Sequence, residues 1–175
     1  MKDKSNFGMI HIYTGNGKGK TTAALGLAMR AVGHDFRVAV IHFMKIWDYG
    51  EVNSLKRLGI DLFRYGTTEL IDPKNPSPID FEEADRAVSK AEELMEKENY
   101  DILILDEINV ALSFNLIPLE RVLNLLNKKP ESLELILTGR KCPEELIDKA
   151  DLVSSIDEIK HPYQKGTEAR KGIEF

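Results

Sequence analysis

MIHIYTGNGKGKTTAALGLAMRAVGH, residues 9–34, opens with a short apolar run, crosses three glycines in five positions and continues into helix-forming residues. That order reads as strand, tight turn, helix. A phosphate-binding loop of the pattern G-x-x-x-x-G-K-[ST] occupies this context. Gly19, Lys20 and Thr21 supply its closing residues, which places the opening glycine at position 14. Position 14 is Thr14, and the glycine comes one residue later at Gly15, so the loop is one residue short. Gly15, Gly17 and Gly19 let backbone amides approach phosphate oxygens, and the start of the helix adds its dipole. Lys20 brings a mobile positive charge, Thr21 a hydroxyl for Mg²⁺, and Lys18 a second cation. The plainer alternative is a flexible glycine turn without a ligand.

Working outward, short apolar runs at 9–13, 38–44, 102–105, 133–137 and 152–156 read as strands. Near-continuous apolarity in the first three predicts burial on both faces, as in a parallel sheet. Helical patterns fall at about 20–33, 50–58, 80–98, 117–128 and 143–149, with Asp80 and Glu83 as a capping box for the third. The alternation predicts a single α/β domain over 1–175, a mostly parallel sheet flanked by helices. Residues 65–78, YGTTELIDPKNPSP, carry three prolines and no periodicity, which suits a lid over a ligand or a surface excursion.

A second acidic element accompanies the glycine loop. YDILILDEIN ends an apolar strand in Asp106 and Glu107, and carboxylates at the end of a strand beside the loop strand can hold Mg²⁺. The bland reading of the pair is a solvated acidic turn. LILTGRKC ends another strand in Thr138, Gly139 and Arg140, which brings Arg140 within reach of phosphate or leaves it a surface charge.

Bulk properties narrow the classes. A formal net charge of −5 argues against a generic nucleic-acid binder. The lone cysteine, Cys142, forbids an intramolecular disulfide and suits a reducing compartment; it reads as a passive residue rather than a nucleophile. No apolar run approaches the roughly 20 residues needed to span a bilayer. MKDKSNFG lacks the apolar core of a signal peptide, so a cytoplasmic protein is expected.

Taken together, YTGNGKGKTTAALGLAMRAVGH, VAVIHFMK, ILILDEIN, LTGRKCPEELIDKADLVSSI and IKHPYQKGTEARKGIEF resemble the ATP:corrinoid adenosyltransferases of the P-loop type. The resemblance runs collinearly from about residue 9 to the C-terminus, and its most specific pieces are the shortened loop and the C-terminal K-H-P-(aromatic)-x-x-G-x-x-A-x-x-G-I-(acid)-(aromatic). It implies a P-loop NTPase (RecA-like) architecture. It also implies a reaction in which cobalt(I) of a reduced corrinoid attacks C5′ of ATP and expels triphosphate. The family's own loop is short, and its ATP lies in the reverse of the usual orientation. Thr14 is therefore an expected residue of that loop.

The resemblance assigns Gly15, Asn16, Gly17, Lys18, Gly19, Lys20, Thr21 and Thr22 to the triphosphate, with Lys20, Thr21 and Glu107 closest to the chemistry. It assigns Mg²⁺, with Mn²⁺ as an alternative, to Thr21 and Glu107 with Asp106 as a neighbouring or water-mediated ligand, and gives Arg30 a contact to nucleotide or corrinoid. Further implications are a homodimer and an electron donor such as a flavoprotein reductase; no nucleic-acid or membrane partner is expected, on the charge and apolar-run grounds given above. Cobalt(I) is itself the nucleophile, so no general base is needed. Two departures stand out. Where the family's best-known pattern has glycine-aromatic-Thr-Trp, this chain reads Gly66-Thr67-Thr68-Glu69, leaving Phe81, Tyr65 or Trp47 as nearby substitutes. A corrinoid without the usual lower base, or movement of the 65–78 loop, are the other ways to bare the cobalt. Residues 1–8 alone precede the first strand, so closure from that side is absent or supplied differently. Competing readings are a P-loop ATPase or small-molecule kinase with Glu107 activating water or an acceptor, and a regulatory subunit that binds ATP without turnover.

Overall fold

The computed structural model describes residues 7–47, 49–97 and 99–175. Its strands are β1 (Ile10–Thr14), β2 (Val38–His42), β3 (Asp61–Arg64), β4 (Ile102–Asp106), β5 (Glu134–Thr138) and β6 (Leu152–Ser155). Its α-helices are α1 (Lys20–Val32), α2 (Gly50–Arg57), α3 (Pro78–Glu96), α4 (Ile108–Ser113), α5 (Leu119–Asn127) and α6 (Glu144–Ile147), followed by a 3-10 turn at Pro162–Lys165. The strands form one sheet in the order β3-β2-β4-β5-β1-β6, and every pairing is parallel. This is the α/β architecture expected of the sequence.

Alternating side chains of the central strands supply two cores. Val38, Val40, Ile102 and Ile104 pack under α1 and α2, whereas Ala39, Ile41, Leu103 and Leu105 pack under α3, α4 and α5. Each fully buried aliphatic side chain contributes roughly 1.5–3 kcal/mol, and both faces of β2 and β4 are filled this way. Ala24, Ala28 and Ala31 put the small side of α1 against the sheet, which brings the start of that helix close to the strand ends.

Several expectations need correction. The strand bearing Asp106 does not lie beside the glycine-loop strand, because β5 is inserted between β4 and β1. β3 has no counterpart among the expected strands: its DLFR sequence has charged ends and only two partly buried residues, too short an apolar signal for an edge strand. The third helix begins two residues earlier than 80. Ser77 is its cap, and the Asp80 carboxylate sits at the third helical position, accepting the Ser77 backbone N–H at 2.8 Å and its hydroxyl at 2.7 Å. The helix expected over 117–128 is present as α5, whereas the short α4 before it had no counterpart among the expected helices.

Candidate active site

The glycine loop leaves the carboxyl end of β1 and wraps against the chain that leaves β6. The Gly17 N–H donates to the Ile156 carbonyl at 2.7 Å. A Cβ on Gly15 would stand 2.5 Å from the Ile156 oxygen, and one on Gly17 would stand 2.7 Å from the Asp157 backbone. These two glycines are therefore required by packing, whereas Gly19 is required by its φ of 125° and faces open space. Lys20 folds back inside the loop, and its Nζ donates to the Gly15 carbonyl at 2.8 Å and the Gly17 carbonyl at 2.6 Å. Burial lowers its pKa, with Arg140 and Lys45 adding repulsion and Glu107 and Asp106 opposing it. Its charge is held within the loop by the carbonyls of Gly15 and Gly17.

The acidic half of the site rests on β4, β5 and β2. Asp106 is fully buried. It accepts hydrogen bonds from the Thr21 hydroxyl at 2.8 Å, the Thr138 hydroxyl at 2.7 Å and Lys45 Nζ at 2.8 Å. Burial alone would push its carboxyl up, but Lys45, His42 and the bonds from Lys45 and Thr138 outweigh it and hold the group below its ordinary range. Lys45 Nζ lies 3.2 Å from Thr21 Oγ1 and 3.9 Å from Glu107 Oε1. His42, in register beside Asp106 on β2, is 3.8 Å from it, and burial pushes the imidazole down to about 4.

Glu107 differs from its neighbour because the backbone turns. Its φ of 68° puts it in the left-handed region, uncommon for a residue with a side chain. The turn gives its N–H to Thr138 Oγ1 at 3.0 Å and leaves its carboxylate on the cavity wall. Burial and the adjacent Asp106 raise its pKa. The two carboxylates of DE thus have separate surroundings, one wholly buried and paired, the other facing the cavity.

That cavity measures about 760 Å³. The loop from Gly17 to Thr22 forms its floor, Leu25 and Met29 of α1 one wall, and Tyr49 with α2 the other. Gly172–Phe175 cross its top, where Lys18 Nζ donates to the Ile173 carbonyl at 3.0 Å and to Glu174 Oε1 at 2.9 Å. Arg140 and Glu107 also line it.

The structure brings Gly17, Lys18, Gly19, Lys20, Thr21, Thr22, Glu107 and Arg140 to this one cavity. Asp106 stands beneath it, joined through Thr21. Gly15 takes part through its carbonyl, while Asn16 is exposed and outside the lining. Arg30 is also exposed and outside the lining; its charge acts instead on Tyr13, whose phenol burial raises and Arg30 partly restores. Sequence reasoning missed Lys45 and Tyr49. The one available signal was a lysine closing the apolar run VAVIHFM at the carboxyl end of β2.

Residues 65–78 are tied to the chain that leaves β2. Trp47 Nε1 donates to the Thr68 carbonyl at 2.8 Å, and a Cβ on Gly66 would stand 2.8 Å from Met44 Cα. Of the three aromatics near this loop, Tyr65 packs against the core, while Trp47 and Phe81 are exposed. Trp47 stacks on cavity-lining Tyr49 with ring centroids 6.4 Å apart. Cys142 is half-buried, and burial pushes its thiol up to about 12, as befits a passive residue.

Comparison with known proteins bears directly on this site. The family model described as ATP:corrinoid adenosyltransferase BtuR/CobO/CobP matches residues 6–175. The corrinoid adenosyltransferase of Escherichia coli (strain K12) is 36% identical over 174 residues, spanning 96% of this chain and 86% of that protein. Corrinoid adenosyltransferase CobA of Salmonella typhimurium (strain LT2) is 37% identical over the same shares. The corrinoid adenosyltransferase of Pseudomonas aeruginosa is 31% identical over 174 residues, with 96% and 84% covered. With a shortened glycine loop, buried carboxylate and C-terminal cover assembled around one cavity, the chain belongs to the ATP:corrinoid adenosyltransferase family, the enzymes that make adenosylcobalamin.

Proposed function

We propose that the cavity takes ATP with its triphosphate on the Gly15–Thr22 loop and its ribose C5′ turned outward to a reduced corrinoid. Cobalt(I) supplies both electrons of the new cobalt–carbon bond. The C5′–oxygen bond breaks, and the triphosphate departs with that electron pair. The observation that carries this reading is charge placement: in a chain of net charge −5, Lys18, Lys20, Lys45 and Arg140 all line one cavity, against Glu51, Glu107 and Glu174. Such convergence suits a polyanionic leaving group. The protein's work is to position ATP and to stabilise charge growing on the triphosphate.

The Thr21 hydroxyl and the carboxylates of Asp106 and Glu107 have the hard-oxygen chemistry of a Mg²⁺ or Mn²⁺ site. Among the described residues no group of three or more His, Cys, Asp or Glu side chains could hold an ion. Phosphate oxygens would therefore complete the shell, and the ion would supply positive charge against the leaving group. On the corrinoid side, exposed Trp47 and cavity-lining Tyr49 offer flat apolar surface, and residues 65–78 are anchored beside them. We read Arg30 as a contact to the corrinoid or a neighbouring chain rather than to the triphosphate. No helix among the described residues is long and apolar enough to cross a membrane. A cytoplasmic homodimer served by a flavoprotein reductase, without nucleic acid, completes the reading.

The deciding experiment is an anaerobic assay with ATP, Mg²⁺ and chemically reduced cob(I)alamin, following the corrinoid spectrum and phosphate products together. Light-sensitive adenosylcobalamin with equimolar triphosphate is expected. Orthophosphate without a corrinoid change would select the ATPase reading, in which Glu107 orients water.

A further inference from the structure

Lys45 closes the segment VAVIHFMK with no role assigned to it by the sequence, yet it occupies the centre of the acidic cluster. Its Nζ lies 2.8 Å from Asp106 Oδ2, 3.2 Å from Thr21 Oγ1 and 3.9 Å from Glu107 Oε1. These are the three groups whose chemistry suits a divalent ion. An ion bound to such oxygens at about 2.0–2.1 Å would share their midst with the ammonium, and two cations at that separation repel strongly. Lys45 and the ion therefore compete for one position.

The geometry also provides somewhere for the lysine to go. Lys45 lines the nucleotide cavity, its side chain is 17% exposed, and its Nζ lies 5.7 Å from the Tyr49 ring centroid on the same wall. A four-carbon stem with a compact charge can swing through several ångströms without backbone movement. Asp106, by contrast, is enclosed and cannot leave; left without a cation, its buried charge would be strongly unfavourable.

We propose that Lys45 is the resident stand-in for the divalent ion: it neutralises Asp106 while the cavity lacks nucleotide, and passes to the triphosphate when ion and ATP enter. Lys45 is thus a positioning residue for the carboxylate and a contact for the leaving group. The exchange keeps a cation beside Asp106 at every stage and adds the Lys45 ammonium to the triphosphate as it binds. The inference rests on the adenosyltransferase reading only for the identity of the triphosphate.

Isothermal titration of Mn²⁺ into nucleotide-free protein tests the first half. Lys45→Met keeps length and removes the competing charge, and should bind Mn²⁺ roughly tenfold more tightly or better than wild type, whereas Lys45→Arg should stay as weak as wild type. Should the methionine variant not fold, Lys45→Gln serves, since its amide still bonds to Asp106 without carrying charge. Equal or weaker Mn²⁺ binding by the uncharged variant overturns the stand-in role. With Mn²⁺ saturating in both proteins, inorganic triphosphate should bind the uncharged variant several-fold more weakly; equal affinity overturns the hand-over. Neither titration contains corrinoid, so their outcomes are independent of whether the wild type transfers an adenosyl group.

Discussion

Thr138 donates its hydroxyl hydrogen to Asp106 at 2.7 Å across the β4–β5 junction, and its oxygen accepts the Glu107 N–H at 3.0 Å. One hydroxyl on the inserted strand thus orients the buried carboxylate and fixes the left-handed turn that exposes the next one. Thr138→Val keeps the shape and removes both bonds. It should lower unfolding free energy by about 1–3 kcal/mol in urea titration. Unchanged stability would show that the turn holds Glu107 without Thr138.

Lys20→Ala removes the cation enclosed by the glycine loop. Adenosyl transfer should fall by roughly 10²–10³ in kcat, as for the loss of one preorganised electrostatic contact. Single-turnover kinetics with pre-reduced corrinoid isolates that step, and near-normal rates would exclude Lys20 from leaving-group stabilisation.

Glu107→Gln retains size but removes charge from the cavity wall. The Mg²⁺ concentration giving half-maximal velocity should rise roughly tenfold, the equivalent of one weakened charge-assisted contact. A Mg²⁺ response matching wild type would place the ion on Asp106 and Thr21 without Glu107.

Gly17 and Gly26 separate packing from helix propensity. Gly17→Ala drives a methyl against the Asp157 backbone at 2.7 Å, so melting temperature and ATP affinity should both fall, with a stability loss of about 1–3 kcal/mol. Gly26 lies within α1, and an added methyl there would meet nothing within 4 Å. Gly26→Ala should leave stability equal or raise it by up to about 1 kcal/mol. Calorimetry on the two variants checks the contrast.

Cys142 supplies the pH prediction. Burial raises its thiol from an ordinary 9.0 to about 12, so folding favours the neutral form. That contribution is complete below pH 9 and is lost as pH rises through 12. At about pH 8, iodoacetamide should label native Cys142 roughly a hundredfold more slowly than Cys142 in urea. Equal rates would mean that the side chain is open to solvent.

Much of this architecture was legible because the chemistry is local. Gly15 to Thr22 are contiguous, and an apolar run ending in Asp106 announces a buried strand with a carboxylate at its tip. Strand order was less accessible: nothing in ILILD or LELIL says which lies next to β1, since both are buried on two faces. β3 escaped because an edge strand with charged ends carries little apolar signal. Lys45 escaped because its importance depends on β2 lying beside β4, a pairing between residues about sixty positions apart. The capping box was displaced because Asp80 is an acceptor at both positions, and Pro78 fixes where the first turn begins.

The insertion of β5 between β4 and β1 bears on how the molecule assembles. The glycine loop and the carboxylate strand have no ladder between them, and both edges of the gap are filled only by residues 134–138. Pairing of such distant segments is the slow part of folding a parallel sheet. A nascent chain that has emerged only as far as α5 holds the glycine loop, Lys45 and both carboxylates yet lacks the strand that aligns them. A nucleotide that needs both halves of the site would bind only the completed sheet, and would stabilise it over a chain in which β5 is unpaired.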